Sequence, residues 1–189
     1  MIVFAVAAIV LHTAPTTQLT SQLAQTSNPL WGTSAGGSSR AAVKPKPVRL
    51  RIPVIGVNTS LMRLGLNRDR TLQVPPNAYT AGWFTGGPIP GQIGPAVIAA
   101  HVHWNGRDGV FSRLGQMQVG DLITVTREHA SPAVFQVTRV SVFHKRAFPS
   151  RLVYGNVNFA ALRLITCDGF NAATHTYQDN LVVFAKLVT

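Results

Sequence analysis

Several things are scarce in this chain of 189 residues. It has one cysteine, six acidic residues against 17 lysines and arginines, 12% charged residues and 8% aromatics. A lone thiol excludes an internal disulfide framework and any multi-cysteine zinc or iron–sulfur centre. It is either an inert core filler or a reactive group. No GxGxxG run and no phosphate loop is present, so nothing supports nucleotide chemistry. No apolar run reaches the roughly 20 residues of a membrane span. Internal repeats and long amphipathic helices are missing too. What is present is a hydrophobic fraction of 46%, enough for a sizeable core and too much for global disorder. The length suits one domain with a tail.

The formal charge of +11 favours polyanionic surroundings, but it is unevenly placed. Residues 1–39 carry no acid, lysine or arginine, whereas 40–51 hold Arg40, Lys44, Lys46, Arg49 and Arg51. The cluster is interrupted by Pro45 and Pro47 and has no aromatic residue. A nucleic-acid reader puts its bases on a helix or among stacking aromatics. The expectation is therefore no nucleic-acid partner, only a salt-sensitive basic segment.

Ile2 to Leu11 is an unbroken apolar run. It suits the core of a signal or anchor sequence, although the usual basic leader is missing and a start lying upstream would restore it. Residues 12–39 are rich in Thr, Ser, Gln and Gly and read as a tether. The expected layout is an apolar signal or anchor segment at 1–14, a flexible and then basic linker at 15–47, and a domain at 48–189. That is the layout of an exported protein held at a membrane, and one unpaired cysteine does not contradict it.

From Val48 onward β patterning dominates. VRLRIPVIGV (48–57) contains Pro53 and reads as an edge strand. Short strands follow at 96–102, 121–128, 133–143, 161–167 and 180–188, separated by turn signals such as PPN, NGRDG and VGD. FSRLGQM (111–117) reads as a helical turn. This spacing predicts an all-β, closed or nearly closed barrel.

Cys167 ends the strand ALRLITC before an Asp168–Gly169 turn, where a thiol can face a surface cleft. A nucleophilic thiol needs a base or imidazolium beside it. His12 lies in the tail, and His129 and His144 sit in solvated surroundings. His101 ends AVIAAH as Cys167 ends its own strand, and His103 shares its side-chain parity as a rival.

AVIAAHVHWNGRDGVFSRLGQMQVGD, LRLITCDG and YQDNLVVFA together resemble the sortases, the cysteine transpeptidases of Gram-positive cell walls. Within them the chain is most similar to the class F group of actinobacteria. The resemblance covers about residues 48–189. It implies an eight-stranded sortase barrel with short helical turns, and His101 and Cys167 as the catalytic pair. It implies a Leu-Pro-x-Thr-Gly-like sorting signal as substrate, cleaved through a thioacyl enzyme. The acceptor would be an amine of a peptidoglycan precursor or a protein. No metal or organic cofactor is implied. The expected protein is a monomer on the outer face of the cytoplasmic membrane.

The family's usual arginine after the cysteine is missing: the 22 residues after Cys167 contain none. An ungapped match puts Asn180 there, with Gln178 two before it, and a side-chain amide can serve in an oxyanion hole. Arg163 shares the parity of Cys167 on its strand, roughly 13 Å away. Arg113 is a further candidate. Trp104, Tyr177 and Phe170 are placed to wall the cleft. So are Phe148 and Pro149, within the 145–155 loop and beside Ala147. Three other functions compete: a hydrolytic cysteine peptidase, a non-catalytic peptide- or wall-binding barrel, and a polyanion binder using residues 40–51.

Overall fold

The computed structural model describes residues 45–189. The expected anchor and most of the expected linker lie outside the described residues. Ten strands follow in chain order: β1 (Pro47–Ile52), β2 (Val57–Leu64), β3 (Ala81–Phe84), β4 (Gly94–Ala99), β5 (His103–Trp104), β6 (Arg107–Asp108), β7 (Leu122–Arg127), β8 (Ala130–His144), β9 (Ala160–Asn171) and β10 (Thr176–Leu187). Among the described residues helix is confined to single turns and the short α1 (Ser150–Tyr154). Eight strands close into a barrel in the order β1-β2-β3-β4-β9-β10-β8-β7, with β5 and β6 as a separate hairpin. The predicted all-β, eight-stranded barrel is the observed fold.

The segment read as one edge strand over 48–57 is a correction. Proline lacks an N–H and ends the ladder, so the run breaks at Pro53 into β1, a 3-10 turn (Pro53–Ile55) and β2. Gly56 takes the left-handed conformation (φ 71°) that turns the chain back. β1 is not an edge, for it pairs with β2 on one side and β7 on the other.

Alternation along the strands sorts side chains to two sides of the barrel wall. Leu50, Ile98, Phe135, Leu162, Leu164 and Val183 fill the interior. A second apolar cluster lies on the other face of β4, β9 and β10, built from Val97, Ala99, Ile165, Val182 and Phe184. Phe148 and Val153, from the segment around α1, cover it. Strand β4 is therefore buried on both faces, which is why it reads GPAVIA without alternation. No helix among the described residues is long and apolar enough to cross a membrane.

Candidate active site

Cys167 lies within β9, not at its end, because the hairpin runs on to Asn171 and turns only at 172–175. This corrects the expected Asp168–Gly169 turn. Gly169 bends the arm instead, with φ 62°. Along β9 the residues 163, 165 and 167 share a face, and Cys167 belongs to the outer cluster. Only 2% of it is exposed, so the thiol is covered rather than open to a cleft.

Two strands flank it. On one side Asn180 of β10 stands directly opposite Cys167. On the other, β4 runs parallel to β9 with Ala99 opposite Ile165. The Ala100 N–H donates to the Ile165 carbonyl at 3.3 Å, and Thr166 Oγ1 donates to the Ala100 carbonyl at 2.9 Å. The last ladder pair is Ala99–Ile165, so β4 stops two residues short of His101, which lies past the strand's end and does not close it as the sequence suggested. The strand order thus sets Asn180 of β10 opposite Cys167 on one side and the end of β4, from which the chain continues to His101, on the other.

His101 is 1% exposed. Its Nε2 donates to the Pro75 carbonyl at 2.8 Å, which assigns the ring proton to Nε2 and makes Nδ1 the acceptor of the neutral ring. Trp104 packs on the ring, centroids 4.4 Å apart. Gly109 crosses so close to the His101 carbonyl that a Cβ there would collide with it. Burial lowers the imidazole pKa, opposed by the Pro75 hydrogen bond. Burial pushes the Cys167 thiol up to about 11, opposed by the charge and hydrogen bond of Lys145. Both effects favour the neutral thiol and neutral imidazole at neutral pH.

The remaining candidates fall into two groups. The rival His103 is engaged on the β5–β6 hairpin, with Nε2 3.0 Å from Asp108 and Nδ1 3.0 Å from the Tyr177 hydroxyl. That contact joins the hairpin to β10 beside the thiol. Phe148 is buried in the cluster that holds Cys167, and Pro149 opens α1. Arg163 is buried with its guanidinium 4.6 Å from the Phe184 ring centroid and Nη1 donating to the Leu162 carbonyl at 3.1 Å. Burial lowers its pKa to about 10. Gln178 donates to Thr176 at 2.8 Å, and Arg113 is exposed and bonded to Gln116 at 3.0 Å. An open pocket behind the β5–β6 hairpin, lined by Thr59, Tyr79 and Asp108, does not include Cys167 or Asn180.

Four buried side-chain polar atoms lack a protein partner among the described residues: Tyr154 Oη, Arg163 Nε and both amide atoms of Asn180. All belong to residues on or against the outer cluster. Sequence reasoning missed Lys145, whose Nζ lies 3.7 Å from the Cys167 sulfur. It also missed the Pro75 carbonyl. Neither carries a local signal, since both contacts bridge distant parts of the chain.

A thiol with an ammonium 3.7 Å away, an asparagine paired opposite it and an imidazole just past the end of the neighbouring strand are groups that suit nucleophilic attack on a carbonyl. The structure resembles the sortase D5 transpeptidase of Clostridium perfringens, with 23% identity, a TM-score of 0.57, and coverage of 76% of this chain and 79% of that one. It also resembles sortase C of Streptococcus pneumoniae (21% identity, TM-score 0.58, covering 75% and 67%). Sortase A of Corynebacterium diphtheriae is a third (20%, 0.58, 77% and 62%). At these identities the likeness concerns the fold. No curated protein matches the chain. The sortase domain family matches residues 50–188, most of the chain. With that match over most of its length and the barrel in agreement, the chain belongs to the sortase family.

Proposed function

We propose that this sortase is a cysteine transpeptidase of the class F kind, acting on a Leu-Pro-x-Thr-Gly-like sorting signal of secreted proteins. The observation that supports the reading is the sortase domain match together with Cys167 standing on β9 between Asn180 of β10 and β4, whose chain runs on to His101. Cys167 gives its thiol proton to Nδ1 of His101, the resulting thiolate attacks the threonine carbonyl carbon, a C–S bond forms, and the carbonyl electron pair moves to oxygen. Collapse of that oxyanion breaks the C–N bond, and His101 gives its proton to the departing glycine amine. An incoming amine then attacks the thioester, loses a proton to His101 and expels the thiolate.

Asn180 offers an N–H to the oxyanion or the substrate backbone, as its amide has no protein partner. Arg163 is the alternative donor. Trp104, Tyr177, Phe148 and Pro149 wall the peptide path. The orphaned polar atoms along this face suit an extended peptide, whose backbone groups would satisfy them. Residues 1–14 serve as signal or anchor and 15–47 as linker. They hold a monomeric barrel at 48–189 outside the cytoplasmic membrane, near peptidoglycan amines.

The test is product mass after incubation with a Leu-Pro-x-Thr-Gly peptide and an amine. Transfer product from the wild type and none from Cys167→Ala supports the reading. Hydrolysis alone would replace it with a peptidase, and bound but uncut peptide with a binding barrel.

A further inference from the structure

The thiol sits in a cluster of apolar groups, where an anion is costly. The charged and titratable groups around it are few. Asp168 adjoins it on β9 and opposes ionisation. Tyr177 on β10 bonds to His103. Arg163, on the same face of β9, is held over Phe184. Arg139 on β8 lies over the Phe143 and Phe184 rings and donates to Ser141 at 2.6 Å. His101 donates to Pro75. The cation that reaches the sulfur is Lys145, at 3.7 Å.

The fold places this lysine deliberately. Strand spacing of about 4.8 Å puts β8 roughly 10 Å from β9, with β10 between them. Asn180 is paired to Phe143 on one side and Cys167 on the other. Past His144 the chain folds inward through a 3-10 turn (Lys145–Ala147), capped by the His144 imidazole accepting from the Arg146 N–H at 3.2 Å. His144 is held opposite Asp179, and Phe148 is buried just beyond. The turn is anchored at both ends, and its first side chain reaches over β10 to the sulfur.

We propose that Lys145 is a further catalytic residue, its ammonium reaching over β10 from the end of β8 to hold the Cys167 thiolate. This rests on the transpeptidase reading for its catalytic consequence only. An opposite charge within about 4–6 Å moves a titration by one to three pH units.

The experiment is a thiolate absorbance titration at 240 nm on the full chain. The sole cysteine makes Cys167→Ala a clean blank. Lys145→Met is expected to raise the thiol midpoint by about one pH unit or more and to lower peptide transfer about tenfold at neutral pH. The deficit should shrink as pH rises. Lys145→Arg is expected to keep the midpoint within half a unit of wild type by the same charge. An unchanged or lowered midpoint in Lys145→Met, with Lys145→Arg folded and unchanged, overturns the proposal. A shifted midpoint in a protein whose wild type transfers no peptide overturns the reading of function and leaves the thiolate contact standing.

Discussion

Asn180 is the place where stability and function should pull apart. Its side chain is wholly buried with both amide atoms unpaired. A buried polar group without a partner costs about 1–3 kcal/mol. Replacing it by valine, which suits a strand and is close in volume, removes that cost and adds apolar area beside Val182 and Cys167. Two opposing terms remain: a slightly tighter fit, and the loss of whatever weak polar contacts the amide makes. The net expectation is a gain of about 1–2 kcal/mol, or a few degrees in the melting temperature of a domain this size. Transfer should fall in the opposite direction, by roughly a hundredfold in kcat, the usual loss for one oxyanion donor. Thermal unfolding by circular dichroism and a peptide transfer assay on one preparation give both numbers. A variant that is destabilised and still transfers at the wild-type rate refutes the reasoning at both ends.

Other consequences are as direct. Gly109→Ala drives a Cβ into the His101 carbonyl; transfer should drop at least tenfold in a folded protein, because small misplacements of a catalytic group are costly. Trp104→Ala uncovers His101, so its imidazole pKa, followed by NMR, should rise back toward the ordinary value of 6.5 as desolvation is relieved. The buried thiol has its pKa raised on folding from 9.0 to about 11. Its contribution to stability is complete below pH 9 and lost as pH climbs to 11. Wild type should lose about 2–3 kcal/mol more than Cys167→Ala over that window in urea unfolding. With the imidazole pKa lowered and the thiol pKa raised, kcat/KM should form a broad plateau, falling on the acid side through the His101 pKa and on the alkaline side near 11.

The strands legible in the sequence were those with long apolar runs or clear alternation, such as 121–128, 133–143 and 180–188. They became β7, β8 and β10, each longer or shorter by a few residues. Strand β3, AGWF, is too short to carry a period, and β2 mixes polar and apolar residues because its outer face meets solvent. Proline misled at position 53: it ends a strand, yet barrel closure still pairs β1 on both sides. Asp168–Gly169 misled as well, since a left-handed glycine can bend a hairpin arm without ending it. His101 and Cys167 stand out as the polar residues that close the mostly apolar runs AVIAA and LIT, and Asn180 as the residue at the family's arginine position. Lys145 does not, because its approach depends on a turn that folds one strand's end across a second toward a third.

Intact mass spectrometry of the wild-type chain quenched during incubation with a Leu-Pro-x-Thr-Gly peptide tests the central claim most directly. The account predicts one added acyl group ending at the threonine, mapped to Cys167, discharged by an added amine and absent in His101→Ala. An unmodified mass while peptide is consumed, or an adduct on another residue, would contradict it.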